Sequence, residues 1–476
     1  MKEGYIKKED RKKILLLTDD IRVHSGVANV GREIVTHTSH RYNWVQMAGA
    51  IRHPEKGKPV DLSEAINKDA GIEDSSVILF PVDAYGDPKS LREVLRREKP
   101  DALFLITDPR YFEWLFQIEN EVRSQIPIAY LNIWDDLPAP MYNREFYDSC
   151  DALFGISKQT VNINKLVLGK EKCKNKIIKY IPHGLNNNTF RPLSNDDSEL
   201  KETRDRINNG VETDFTLFFN SRNIRRKCIS DLFAAWKVFK DGLPKAKQDK
   251  VALILHTAPV DDNGTDLYAI RDLLFGDDPN ILFSDGRITP ESMNVLYNMA
   301  DVTILPSSNE GWGLALTESM MAGTMILANT TGGMQDQMRF EDENGEWFTP
   351  SPEIPSNNTG RYKKHGEWAF PVYPACRSIQ GSPVTPYIFD DRCKPEDATD
   401  RIREVYDLGK EKRKELGLKG REWCLSDEAG FNAKSQGENF IGAVNELFSK
   451  WEPREAFEVI DTDEDIRKIQ THNLVY

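Results

Sequence analysis

No stretch of this chain is both long and apolar. The run that follows the charged start, Ile14 to Leu17, is far below the roughly 20 residues a membrane span needs, so neither a transmembrane helix nor a signal peptide is expected. Cysteine is sparse. The six residues, at positions 150, 173, 228, 376, 393 and 424, form no Cys-x-x-Cys pair, which excludes a disulfide framework and fits free thiols in the cytoplasm. Positive charge is outnumbered, 63 Lys+Arg against 76 Asp+Glu for a net charge of -13, so broad attraction to phosphate backbones is opposed and no stable nucleic-acid partner is expected. The densest basic patch, Arg222-Asn-Ile-Arg-Arg-Lys227, is still able to hold a phosphate, and peripheral membrane contact stays open. Internal repeats are missing as well.

What is there is enough chain for two cores. A length of 476 residues favours two large domains, and a composition of 39% hydrophobic residues with nine Trp is that of a globular protein. Lys12-Lys-Ile-Leu-Leu-Leu-Thr-Asp19 reads as a parallel strand buried on both faces, and similar runs recur at Val77 to Pro81, Ala102 to Ile106, Ile128 to Ile133 and Ala152 to Ile156. Helical spacing, as in Leu91-Arg-Glu-Val-Leu-Arg-Arg, separates them. A second series, Phe215 to Phe219, Val251 to His256, Ile281 to Phe283, Val302 to Pro306 and Met325 to Ala328, repeats the pattern after a polar linker between Arg191 and Thr213. The expected fold class is therefore α/β, two doubly wound Rossmann-like domains facing a cleft. The expected division is 1–200 for the first domain, 212–430 for the second with an insertion at about 340–395, and 431–476 for a final helix and acidic tail packing back on the first domain.

The densest chemistry lies in Asp301-Val-Thr-Ile-Leu-Pro-Ser-Ser-Asn-Glu-Gly-Trp-Gly-Leu-Ala-Leu-Thr-Glu-Ser-Met-Met-Ala-Gly323. It reads strand, tight loop, helix, with Gly311 and Gly313 in the turn, Leu314 to Ala322 helical and Gly323 as the stop. The helix N-terminus suits a diphosphate. Glu310 and Glu318 frame the turn and can accept hydrogen bonds from vicinal hydroxyls, unless they are a surface Glu and a helix Glu paired with a neighbour. Arg222 and Lys227, after the strand at Phe218, can neutralise a diphosphate or form a solvated charged face.

Taken in order, Ile181-Pro-His-Gly-Leu-Asn, the Arg222 to Lys227 turn, Phe283-Ser-Asp-Gly-Arg-Ile, Glu310-Gly-Trp-Gly-Leu-Ala-Leu-Thr-Glu318 and Thr331-Gly-Gly-Met-Gln-Asp resemble retaining GT-B glycosyltransferases of family 4 (glycosyl transferases group 1). The family signature is a Glu, seven residues, then Glu. The resemblance covers most of the second domain and, more loosely, the first. It implies that Arg222 and Lys227 hold the donor diphosphate, that Glu310 binds the donor sugar, and that Glu318 takes the ribose hydroxyls. Gly313 and Leu314, in the loop with Gly311 and Trp312, would offer backbone N–H groups to the phosphates, and Arg287 with Ile288 would lie against the base.

Two places depart from the family pattern. The loop His24-Ser-Gly-Val-Ala-Asn-Val-Gly31 has one glycine, Gly26, where many relatives carry a pair, so Gly26 is either a donor-facing contact or an ordinary strand-to-helix turn. In Asn132-Ile-Trp134-Asp135-Asp136 the family His is replaced by Trp134, so either the correspondence slips by one, leaving Asp135 in the sugar or acceptor pocket, or the pocket differs. His24 is a second acceptor-side candidate. His37 and His40 are too thin for a metal site, and the resemblance requires no metal or other cofactor. The implied function is transfer of a sugar from a nucleotide sugar, UDP-sugar favoured over GDP- or ADP-sugar, to a carbohydrate, lipid-linked or other hydroxyl acceptor. The rivals are a nucleotide-sugar epimerase, a sugar phosphorylase, or a catalytically inactive binding subunit on the same fold.

Overall fold

The structure, a computed structural model, describes residues 4–207 and 213–455. Part of the expected linker, with the proposed boundary at residue 212, and the tail beyond Glu455 lie outside them. The first sheet has eight strands: β1 Lys12–Asp19, β2 Tyr42–Gly49, β3 Val60–Asp61, β4 Val77–Pro81, β5 Ala102–Ile106, β6 Ile128–Asn132, β7 Ala152–Gly155 and β8 Ile177–Tyr180. Their order is β3-β4-β2-β1-β5-β6-β7-β8, parallel throughout except where β3 meets β4.

Alternation along β1 explains why both faces are covered. Leu15 and Leu17 pack with Leu91, Phe112 and Tyr130 on one side, while Ile14 and Leu16 belong to the core on the other. That other side is closed by the last described helix, Ala433–Lys450, whose Phe440 lies against Trp44 at 5.8 Å and Phe104 at 4.9 Å. Phe440 is fully buried, and its truncation to Ala would cost about 3–5 kcal/mol. The Tyr42 hydroxyl donates to Asn445 from the same seam.

The second sheet has six parallel strands: β9 Phe215–Asn220, β10 Val251–His256, β11 Ile281–Ser284, β12 Val302–Leu305, β13 Met325–Asn329 and β14 Ala369–Val372, in the order β11-β10-β9-β12-β13-β14. In each sheet the direction of winding reverses beside the first strand, between β1 and β5 and between β9 and β12. Such a switch point opens a crevice at the carboxyl ends of the strands. The turn at Gly26 follows β1, the Arg222–Lys227 turn follows β9 and the Glu310 loop follows β12, so these three motifs sit at the two crevices, while Asp135 follows β6 and Arg287 follows β11.

The stretch expected as an excursion holds β14 and an antiparallel hairpin, β15 Cys376–Ser382 with β16 Thr385–Arg392. The hairpin stands on both domains. On one side Asp391 N–H donates to the Ser308 carbonyl at 2.9 Å, and the Asn329 amide donates to the Asp391 carbonyl at 2.7 Å. On the other, Phe389 N–H reaches the Leu137 carbonyl at 2.7 Å, the Tyr142 hydroxyl reaches the Tyr387 carbonyl at 2.9 Å, and Arg110 reaches Thr385 Oγ1 at 2.6 Å.

Candidate active site

The chain leaves β12 at Leu305, crosses a tight loop and enters the helix Leu314–Met321. The turn needs Gly313, which sits at φ 87° in the left-handed region, where a side chain would also press on Leu305 and Met334. Two of the loop carbonyls are satisfied by the neighbouring segment: Gly333 N–H donates to the Glu310 carbonyl at 3.0 Å and the Gln337 amide to the Trp312 carbonyl at 2.6 Å. A Cβ on Gly26 would come within 3.5 Å of Leu314 Cδ1, so the two helix N-termini confront each other across the crevice.

Glu310 is held at the mouth of this loop by two cations. Arg226 donates to Glu310 Oε2 at 2.9 Å and to the Asn309 carbonyl at 2.8 Å, and the Lys227 ammonium closes on the same Oε2. The turn that aims them is a short 3-10 helix, Arg225–Lys227, pinned by Ser308 N–H on the Arg226 carbonyl at 2.8 Å. Burial works against the Glu310 charge, but Arg226 and Lys227 outweigh it and hold the carboxyl down at about 2. Burial pushes Lys227 down, with Arg226 beside it, because one carboxylate cannot fully compensate two adjacent cations.

The third member comes from the first domain. Asp135 Oδ2 lies 3.9 Å from Arg226 Nε, and burial raises its carboxyl above the usual range. Trp134 turns the opposite way, into the core, where its indole donates to the Asp136 carbonyl at 2.6 Å and meets Tyr142 edge-on. Of the two residues that compete for the family His position, Asp135 is therefore the one that meets the cluster.

Glu318, just over one turn into the helix, accepts from the Tyr297 hydroxyl at 2.5 Å, and burial raises its carboxyl. Gly311 packs directly on the Ile133 carbonyl, leaving no room for a side chain. Trp312 is a core residue, 2% exposed, its indole donating to Thr317 Oγ1. Arg287 is exposed and Ile288 half-buried in the turn after β11. His24 is exposed in the loop before Gly26. Arg222 is not brought to Glu310; its exposed guanidinium pairs with Asp261 at 2.8 Å. The cation that stands there is Arg226, which sequence reasoning passed over although it adjoins Lys227. Tyr297 was also missed, since nothing in Pro290–Met299 marks one tyrosine as carboxylate-facing.

Behind the site the domains share a buried polar seam. Thr331 Oγ1 lies 3.0 Å from both Asp136 and Asp391, Gln159 donates to Asp136 at 2.8 Å, and Gln335 donates to Gln159 at 2.8 Å. One hydroxyl proton cannot serve two carboxylates, and burial with Asp391 nearby pushes Asp136 well above the usual range. Among the described residues no cluster of three or more His, Cys, Asp or Glu could hold a metal ion, and no helix is long and apolar enough to cross a membrane.

Residues 200–354 match the family described as glycosyl transferases group 1. A D-inositol 3-phosphate glycosyltransferase of Corynebacterium urealyticum is 41% identical over 46 residues, 10% of this chain and 11% of that protein. The chain spans no more than about a sixth of the length of the curated relatives it matches. Solved structures align over nearly the whole chain. Anabaena HepE in complex with UDP and glucose has a TM-score of 0.63 at 13% identity, covering 92% of this chain and 100% of that one. The sucrose-phosphate synthase of Thermosynechococcus elongatus has a TM-score of 0.60 at 16% identity, with coverage of 92% and 100%. The fold is that of the GT-B glycosyltransferases.

Proposed function

We propose that this protein is a glycosyltransferase that takes a sugar from a nucleotide donor, with a UDP-sugar favoured, and retains the anomeric configuration. The observation that carries this reading is the Glu310 carboxylate, clamped by Arg226 and Lys227 at the N-terminus of the helix Leu314–Met321. A diphosphate seated on that N-terminus competes with Glu310 for both cations. Once they turn to the phosphates, Glu310 is free to accept hydrogen bonds from the donor sugar. Glu318, oriented by Tyr297, takes the ribose hydroxyls. Binding of UDP by a protein of like fold supports the choice of base.

In the transfer step the bond between the anomeric carbon and the β-phosphate oxygen breaks, and its electron pair leaves with the phosphate. The acceptor hydroxyl oxygen bonds to the same face of that carbon and its proton passes to the departing phosphate. Lys227 and Arg226 stabilise the charge that develops on the leaving group by fixed electrostatics. Asp135 faces the same spot from the first domain. Arg222 is an outer cation in this reading, reaching a phosphate only by leaving Asp261.

The domain division of the sequence, the cytoplasmic location and a site that works without a metal belong to the same proposal. The test is product analysis with isotope-labelled UDP-glucose and a panel of hydroxyl acceptors. Release of UDP with an α-linked product is expected. An altered nucleotide sugar formed without acceptor would favour an epimerase, and tight UDP binding without turnover an inactive subunit.

A further inference from the structure

The carboxyl edge of the first sheet carries features that the donor site does not use. Ala50 after β2, Ala84 after β4 and Thr107 after β5 have φ of 74°, 49° and 98°, a conformation that residues with a Cβ rarely adopt. Strain of this kind gathers at binding sites, where surrounding contacts hold it in place. These three turns bring up one pair of rings. Tyr85 and Tyr111 stack with centroids 4.7 Å apart and an interplanar angle of 18°. Tyr85 is fixed from behind by Phe112, edge-on at 5.3 Å, and by its hydroxyl, which donates to Asp19 Oδ1 at 2.8 Å. Tyr111 is 55% exposed. A flat apolar face is thus held out in solvent by a half-buried partner that is itself pinned from behind, a surface suited to being covered by a ligand.

Its position ties it to the transfer site by two routes. Asp19 accepts from Ser25 Oγ at 2.6 Å, and Ser25 precedes the Gly26 turn that confronts Leu314. Next to Tyr111, the Arg110 guanidinium lies over the Trp134 ring at 5.6 Å, and Trp134 adjoins Asp135 of the Glu310 cluster.

Resting on the glycosyl-transfer reading, we propose that Tyr111, stacked on Tyr85, is the platform of the acceptor subsite and that the acceptor is a carbohydrate, one sugar ring of which lies on the outer tyrosine face. A pyranose presents a face of C–H bonds that packs on an aromatic ring and an edge of hydroxyls that seeks polar partners. Asp108 and Arg110, ion-paired and both partly exposed beside Tyr111, are such partners. A free saccharide and the sugar of a lipid-linked acceptor share this chemistry.

The test uses the full chain saturated with UDP and a panel of free saccharides and octyl glycosides, read by saturation-transfer NMR and titration. A bound sugar should take up saturation on the C–H protons of one face. Tyr111→Ala should weaken that binding by about tenfold or more, Tyr111→Phe should preserve it, and UDP affinity should be unchanged in both. Preference for octyl glycosides would support a lipid-linked carbohydrate, and preference for free sugars a soluble one. Equal sugar binding by Tyr111→Ala, or UDP binding with no saccharide bound by the wild type, would overturn the assignment. Failure of the wild type to bind UDP would overturn the donor reading itself, and this inference with it.

Discussion

The Tyr297 hydroxyl donates to the Glu318 carboxylate at 2.5 Å, and the Asn220 amide donates to the same hydroxyl at 2.8 Å. A residue from the helix Pro290–Met299 thereby sets the direction of a carboxylate on the helix Leu314–Met321. Among the described residues no cation pairs with Glu318, so neutral donors order it, this hydroxyl and, at 3.5 Å, the Asn220 amide.

Tyr297→Phe should therefore act on the nucleoside end of the donor. The ring is fully buried and Phe fills the same space, so the fold should persist. A hydrogen bond of this kind is worth about 1 kcal/mol, so affinity for uridine and UDP should fall about fivefold while pyrophosphate binding stays constant. Calorimetry on the three ligands distinguishes this from general loosening of the domain, which would weaken all three.

Glu310→Gln removes the carboxylate shared by Arg226 and Lys227. Transfer should fall by about a hundredfold or more, as for a group acting beside the reacting carbon. The two cations lose their partner, so the unliganded variant should melt earlier than wild type and UDP should restore more stability to it. UDP affinity should not decrease. Wild-type turnover in the variant would remove Glu310 from the mechanism.

Arg226 and Arg222 can be separated by charge removal at each. Because Arg226 already reaches the Glu310 cluster while Arg222 pairs outward with Asp261, Arg226→Ala should weaken UDP binding more than Arg222→Ala does. Uridine binding should be unaffected in both. The opposite ranking would return Arg222 to the phosphates.

Two carboxylates should tilt the pH profile of stability in opposite directions. Glu310, lowered to about 2, contributes stability that is present above its unfolded value near 4.5 and lost as the pH falls toward 2. Asp336, raised by burial to about 6 against the pull of Lys158, favours the folded state at acid pH and loses that advantage as the pH rises from near 3.8 through 6. Melting temperatures across pH should show Asp336→Asn flattened between pH 4 and 6, and Glu310→Gln flattened below pH 4.5. Parallel profiles for wild type and Asp336→Asn would contradict the buried placement of that carboxyl.

The strands that were legible in the sequence are those whose burial is continuous. In β1 and β10 nearly every residue faces a core, so an apolar run appears. β2 escaped because Asn43 and Gln46 interrupt it, yet Gln46 is buried, its amide donating to the Asp19 carbonyl at 2.7 Å and its carbonyl accepting from Ile21 N–H. A polar residue satisfied in three dimensions looks like a break in one. β14 is four residues long and contains Pro371, so it vanished into a stretch rich in turn formers. At the site, the Glu310 to Glu318 spacing is local and could be read directly. The choice of Arg226 over Arg222 depends on how one 3-10 turn rotates, and the approach of Asp135 depends on the docking of two domains; neither is encoded in any short window.

The hairpin β15–β16 makes the cleft one-sided. Its strands are fastened to Ser308 and Asn329 on one domain and to Leu137, Tyr142 and Arg110 on the other, so along that flank the domains are laced together. A spreading motion that separates the sheets must unlace those bonds or pivot about them. Pivoting keeps Glu310 and Asp135 near the axis, where displacement is smallest, and moves the far rim most. The molecule is in this respect jawed, with its chemistry at the back of the bite, and an acceptor ring on Tyr111, beside the lacing residue Arg110, would lie close to the hinge.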